Sequence, residues 1–500
     1  MKKKEWIIYS GIVVIALVIG AMFCRYHADK LLIDDLLSIS LSNTQGGWVG
    51  HEMLGYIDPN EFNLFAANVP FDYKNVWSNQ INDCHPILYY SVVNTLWSIF
   101  SVKMDFWLGY LPNMVFFAIN GCLIYYLSKK LKLSKGLSFA TIAVYLLNPV
   151  ILDHVAFIRM YTMTSMWSLL FAAVLSDFFT DNVSKKTYIG LFLVTICGGL
   201  THYYCYIAFF FMSAFTCFYF MFKRLWKRFL VYAGSVFAGI GVALCIFPAT
   251  ITHLLSNEHS ANAVNNLGGS DTFNRYLTQL KESPFGYGLL AVLVVIIVLV
   301  MINRKKINDT LIYLSVLVVS SVFYFLVVGM ISTYVTPRYM MPMYAVLVVS
   351  FTMLLGVLIE QFSEKNIGYV VALLILVAGI PTLIMKDYKN PVGFAASNKD
   401  KIAIVYSLEH FDPNYMNTNA FELREYKQVY FTNNSEEAKL LEDEFYYETS
   451  VVMYVVKDDG MGESVDMKEE ALNWLKWRSR FETLTYTGYS TTLYDIYIAE

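Results

Sequence analysis

Eleven apolar stretches of roughly membrane-spanning length run through this chain: 6–23, 106–127, 137–152, 162–179, 188–204, 206–222, 229–250, 286–302, 311–331, 340–359 and 367–385. A helix needs about 20 mostly apolar residues to cross the hydrocarbon. The pattern therefore predicts a polytopic α-helical membrane protein with about eleven transmembrane helices. Composition agrees, since 15% of residues are charged where soluble chains carry about 25%. A further segment at 86–101, "PILYYSVVNTLWSIFS", is short, begins with Pro86 and carries Asn94 and several serines. It reads as a helix lying at the membrane interface. The N-terminal run lacks a small-x-small cleavage site, and Phe23 precedes Cys24. It reads as an uncleaved first span rather than a signal peptide.

Lys and Arg in short loops set the orientation. With the N-terminus cytoplasmic, alternate short loops hold 17 of the 28 basic residues found before residue 401. The longer outward segments hold only 11. The charge is also unevenly divided along the chain. Residues 401–500 contain 19 acids and 9 basic residues, a net of −10, against +7 for the rest. No basic stripe or Gly-rich fingerprint points to nucleic acid. The reading is a transmembrane domain at 1–385, with an outward loop at 24–105, and a small extracytoplasmic α/β domain at 386–500. In that domain "KIAIVYS", "KQVYFT", "SVVMYVVKDD" and "LYDIYIAE" read as strands, and "NSEEAKLLEDEF" and "DMKEEALNWLKWRSR" as helices.

Chemistry-bearing residues gather at the outward ends. They are Asp34 and Asp35 in "LLIDDLLSIS", His85 and Tyr89 in "NDCHPILYY", and Asp153, Arg159 and Tyr161 in "NPVILDHVAFIRMYTM". His202 lies in "LTHYYCY", and Arg338 and Tyr339 in "YVTPRYMMP". The spans themselves are nearly free of charge. Intramembrane ionisable groups usually mark ion pathways, so their scarcity argues against an ion-coupled transporter.

These stretches resemble, in family order over residues 1–360, the signatures of GT-C membrane glycosyltransferases. That superfamily includes protein O-mannosyltransferases and lipid A aminoarabinose transferases. "IDDLLSIS" resembles the acidic motif of the first outward loop, and "HPILYY" resembles HPPLYY. "RMYTM", "LTHYY" and "PRYMMP" resemble the R-x-Y, H-Y and R-Y signatures. Asp35 stands where the family usually has Glu, and Ile87 replaces the second Pro. Phe157 stands where an acid commonly precedes Arg159 by two, which leaves Asp153 as its candidate substitute. The resemblance implies inverting transfer of a monosaccharide from a polyprenyl-phosphate donor to an extracytoplasmic hydroxyl. Protein, lipid and cell-envelope glycan all qualify as acceptors.

A hydroxyl needs a base to take its proton as the bond forms, and Asp34 is the candidate. Asp35, pointing about 100° away on a helix, is a supporting residue. The departing phosphate calls for preorganised donors. Arg338 and then Arg159 suit it, because a guanidinium is planar, always charged and bidentate. His85 and His202 can add hydrogen bonds, and Asp153, Tyr89, Tyr161 and Tyr339 can contact sugar or acceptor. Each also has a plainer reading: a solvated helix start, headgroup-anchoring arginines, structural histidines, aromatic-belt tyrosines. Two further classes stay open, a lipid-linked saccharide flippase and a non-catalytic scaffold. No cofactor or required metal is expected. The five cysteines in or beside spans act as small hydrophobes. A Cys24–Cys84 disulfide is possible but not the favoured state.

Overall fold

The computed structural model describes residues 3–27, 32–47, 54–66, 69–100, 106–256, 272–281, 297, 307–332, 335–360, 391–409, 418–435, 438, 445, 447–458 and 464–500. They form two compact units. The first comprises Met1–Phe23, Gln80–Tyr89 and Pro112–Ile384; the second comprises Cys24–Asn79, Tyr90–Leu111 and Met385–Glu500.

Among the described residues, seven helices are long and apolar enough to cross a membrane. They are Lys4–Arg25, Trp107–Lys130, Tyr161–Phe179, Tyr204–Phe222, Trp226–Ile246, Asp309–Ile331 and Pro337–Glu360. The predicted span at 137–152 is a broken pair, Lys135–Leu146 and Pro149–Val155, bent by 57°. Asn148-Pro149 causes the break: proline disfavours a helical residue before it, and Asn148 caps the new helix by accepting the Ile151 N–H at 3.2 Å. The predicted span at 188–204 is shorter, a 15-residue helix at Lys185–Gly199 that stops at its Gly198-Gly199 end. The stretches 286–302, apart from residue 297, and 367–385 lie outside the described residues. The expected eleven is thus seven, or eight with the broken pair, in what the structure describes. Segment 86–101 contains the 13-residue helix Leu88–Phe100, about 20 Å long and too short to cross.

Within the first unit the helices meet through small residues and internal hydrogen bonds. A Cβ added at Gly239 would lie 2.8 Å from the Phe192 carbonyl and 2.8 Å from Thr195 Cβ. Glycine there lets two apolar helices approach closely, as small residues do where lipid gives no hydrophobic drive. Gly239→Val is expected to cost about 1–3 kcal/mol by overpacking. A lowered melting temperature in detergent would show it; an unchanged one would remove this contact. Tyr313 donates its hydroxyl to the Ala172 carbonyl at 2.6 Å, and Ser165 to Met341 at 3.0 Å. Lys130, in one of the basic loops, pairs with Asp177 at 2.7 Å, and Thr187 also donates to that carboxylate at 2.9 Å.

The second unit is built on a six-stranded sheet. Its strands are β1 (Gly55–Ile57), β2 (Ile402–Ser407), β3 (Gln428–Asn433), β4 (Val451–Val456), β5 (Leu484–Ser490) and β6 (Tyr494–Ala499), in spatial order β1-β3-β2-β4-β6-β5. The central β2 is parallel to both β3 and β4, while β1, β5 and β6 pair antiparallel. β2 and β4 are buried along their whole lengths, as near-continuous apolar runs require. One face packs Tyr406, Tyr430, Phe445 and Val451 against Trp474 and Leu475 of the helix Lys468–Arg478. The helix expected at 434–445 lies mostly outside the described residues. β1 comes from the first outward loop, pairing Gly55 with Phe431 and Ile57 with Val429. That loop therefore folds with the C-terminal sheet.

Candidate functional site

Asp34 and Asp35 open the helix Ile33–Asn43 in the second unit. Asp35 is buried, and its carboxylate accepts the Leu32 N–H at 2.7 Å, while the Asp35 N–H donates to the Leu32 carbonyl at 2.9 Å. A side chain at the third helical position reaching back to the cap is half of a capping box. Asp34 is only half-buried. The two neighbours thus differ: one is buried and holds the helix start, the other is half-buried. The far end of the helix is held by Asn79, which donates to the carbonyls of Leu41 and Thr44 at 3.0 and 2.8 Å. Asp35→Ala is expected to cost about 0.5–2 kcal/mol through the lost cap, read as a shift in unfolding midpoint; no shift would contradict the capping role.

The other predicted residues belong to the first unit, and most of them gather. His85 and His202 lie with ring centroids 5.8 Å apart, and Tyr161 lies 5.7 Å from His202. Tyr204 lies 5.1 Å from His202 and 5.5 Å from Tyr339. The Arg338 guanidinium sits 5.0 Å over the Tyr339 ring. Four separate chain segments, at 83–85, 159–161, 202–204 and 338–339, therefore converge on one cluster of histidines, tyrosines and arginine. His154 joins it at 5.7 Å from Tyr161. Local contacts hold each contributor. Leu88 donates to the Leu200 carbonyl at 2.9 Å. Thr162 donates to the His154 carbonyl at 2.9 Å, and Asn113 to the Phe157 carbonyl. Tyr324 donates to the Tyr339 carbonyl at 2.6 Å. His202 Nδ1 accepts the Tyr204 N–H at 3.1 Å. That fixes the neutral tautomer with its proton on Nε2, a donor.

Burial differs among the remaining predicted residues. Tyr89 is fully buried. Asp153 is exposed, while Arg159 is buried at 5% exposure. Cys24 and Cys84 are both free thiols.

Asp83 was not singled out by the sequence, although its spacing to His85 carries the signal. Its Oδ2 lies 2.8 Å from His85 Nδ1, with the two side chains 25% and 18% exposed. Burial works against the charge on both. For His85 the Cys84 sulfur and the Asp83 carboxylate outweigh it and raise the imidazole to about 9. For Asp83, His85 and then Arg159 hold the carboxyl well below its ordinary range. Asp83, Cys84 and His85 also place one ligand atom each within 4.8 Å of one another, close enough to hold a metal ion. A second unpredicted residue is Arg275. It donates to the Gly329 carbonyl at 3.0 Å and to the Ser332 carbonyl, satisfying the open end of the helix Asp309–Ile331.

No family model and no curated sequence matches the chain. Among solved structures it is similar to ArnT from Cupriavidus metallidurans bound to undecaprenyl phosphate, at 11% identity and a TM-score of 0.47. That match covers 99% of this chain and 98% of that one. The apo state of the same ArnT gives 11% identity and a TM-score of 0.47, covering 100% and 98%. The Archaeoglobus fulgidus oligosaccharyltransferase in the apo form gives 11% identity and a TM-score of 0.45, covering 84% of this chain and 64% of that one.

Proposed function

We propose that this protein is an integral membrane glycosyltransferase. It moves a monosaccharide from a polyprenyl-phosphate donor to a hydroxyl on an extracytoplasmic acceptor, with inversion. The observation that carries the reading is the convergence of His85, Tyr161, His202, Arg338 and Tyr339 from distant chain segments onto one cluster. Those groups suit a sugar joined to a phosphate. Arg338 neutralises the phosphate, and Arg159 adds positive potential from its buried position. The Nε2–H groups of His202 and His85 donate hydrogen bonds. The half-buried Tyr339 contacts the sugar, with the buried Tyr161 beside it in the cluster, and the exposed Asp153 contacts the acceptor. As the glycosidic C–O bond breaks, charge grows on the phosphate, and fixed donors lower that barrier without reorganising. Asp34 takes the acceptor proton. In this reading the N-terminus is cytoplasmic and the C-terminal domain is extracytoplasmic.

The test is direct. The purified protein in detergent is given polyprenyl-phosphate monosaccharides and envelope acceptors, and release of polyprenyl phosphate is followed. Release that depends on acceptor, with an inverted anomeric product, supports the reading. Intact donor across the panel, from protein with a cooperative melting transition, overturns it.

A further inference from the structure

The tripeptide Asp83-Cys84-His85 presents three different ligand types on one short turn. His85 Nδ1 lies 2.8 Å from Asp83 Oδ2 and 3.3 Å from Cys84 Sγ. In a tetrahedral zinc centre, bonds of about 2.0–2.3 Å put ligand atoms roughly 3.3–3.6 Å apart. The Cys84–His85 separation already matches what an ion would impose, and the Asp83–His85 pair, now bridged by a proton, is about 0.5 Å shorter; all three atoms lie within 4.8 Å of one another. The turn is held on both sides. His253 Nε2 contacts the Ile81 carbonyl at 3.0 Å before it, and Leu88 bonds to Leu200 after it. A preformed turn lowers the ordering cost of binding. Both Asp83 and His85 keep some exposure, so an ion has access. This is the one such group of three among the described residues.

We propose that Asp83 Oδ2, Cys84 Sγ and His85 Nδ1 form a binding site for one divalent transition-metal ion, zinc first, with one coordination position left open. A carboxylate, a thiolate and an imidazole make a mixed set that suits zinc over magnesium or calcium, which take oxygen ligands. Binding displaces the protons on Cys84 and His85 Nδ1 to solvent. His202 is close, with its ring centroid 5.8 Å from that of His85, but it lies outside the group of three whose ligand atoms can share an ion. The site stands whether or not the chain transfers sugar.

The full-length protein in detergent is stripped with a chelator and titrated with Zn²⁺ alone, then with Co²⁺ alone. One Zn²⁺ per chain is expected, with affinity at least tenfold weaker in Cys84→Ser and in Asp83→Asn. Bound Co²⁺ should show a thiolate charge-transfer band that Cys84→Ser lacks. Helical circular dichroism checks that the variants fold. If they do not, the cobalt spectrum of the unmodified protein decides alone: no thiolate band means no site here. Failure to bind Zn²⁺, or binding untouched by both substitutions, overturns the proposal. Neither result depends on a transfer assay.

Discussion

Asp34→Asn is expected to lower the rate of sugar transfer by about 10²–10⁴-fold, the usual contribution of a positioned base, while donor affinity and thermal stability hold. The substitution keeps the shape of the side chain and removes its capacity to accept a proton. Stability should hold because the helix start is secured by the neighbour, Asp35, whose carboxylate takes the Leu32 N–H. Asp34 is the half-buried member of the pair. The comparison of Asp34→Asn with Asp35→Ala separates chemistry from folding: the first should lose rate without stability, the second stability before rate. Activity retained in Asp34→Asn would remove it as the base, and a lowered melting point would make its role structural.

Arg338→Lys is expected to lower kcat/KM by about 10²–10³-fold, comparable to the loss of one preorganised donor to a developing anion. Lysine keeps the charge but not the planar, two-pronged donor set that matches a phosphate. The Arg338 side chain is half-buried and lies over the Tyr339 ring, which fixes its plane. On the proposed reaction the loss should fall on turnover as well as donor affinity, because charge would grow on the phosphate as the sugar leaves. A change confined to KM would mean that Arg338 anchors the ground state only. Kinetics equal to the unmodified protein would remove it from the site.

Much of this was legible in the chain because helix and strand signals are local. Seven predicted spans return as long apolar helices, since apolar length alone defines them. Asn148-Pro149 already spelled the break in an eighth. Strands β2, β3, β4 and β6 were readable from dense β-branched and aromatic runs. β1 was not: three residues, Gly55–Ile57, form a strand only because β3 offers an edge far along the chain. β5 was missed because it is largely exposed and irregular, with Gly488 at a φ of +80°. The site divides the same way. The motif segments that carry the histidines, Tyr161 and Arg338 meet in one cluster. Tyr89 sits in the same motif yet is buried, because periodicity gives a residue its helix but not the neighbours that cover it. Asp83 went unnoticed because its meaning is a single contact, 2.8 Å to His85, that no pattern of hydropathy encodes.

The claim at the centre is that the cluster around Arg338, His202 and His85 holds a lipid phosphate. Native mass spectrometry of the detergent-solubilised protein with polyprenyl phosphate tests it most directly. The unmodified protein should retain one lipid per chain, and the double variant Arg338→Gln, His85→Gln should lose retention at least tenfold while keeping its melting temperature. Equal retention by both proteins would place any lipid phosphate elsewhere and contradict the account.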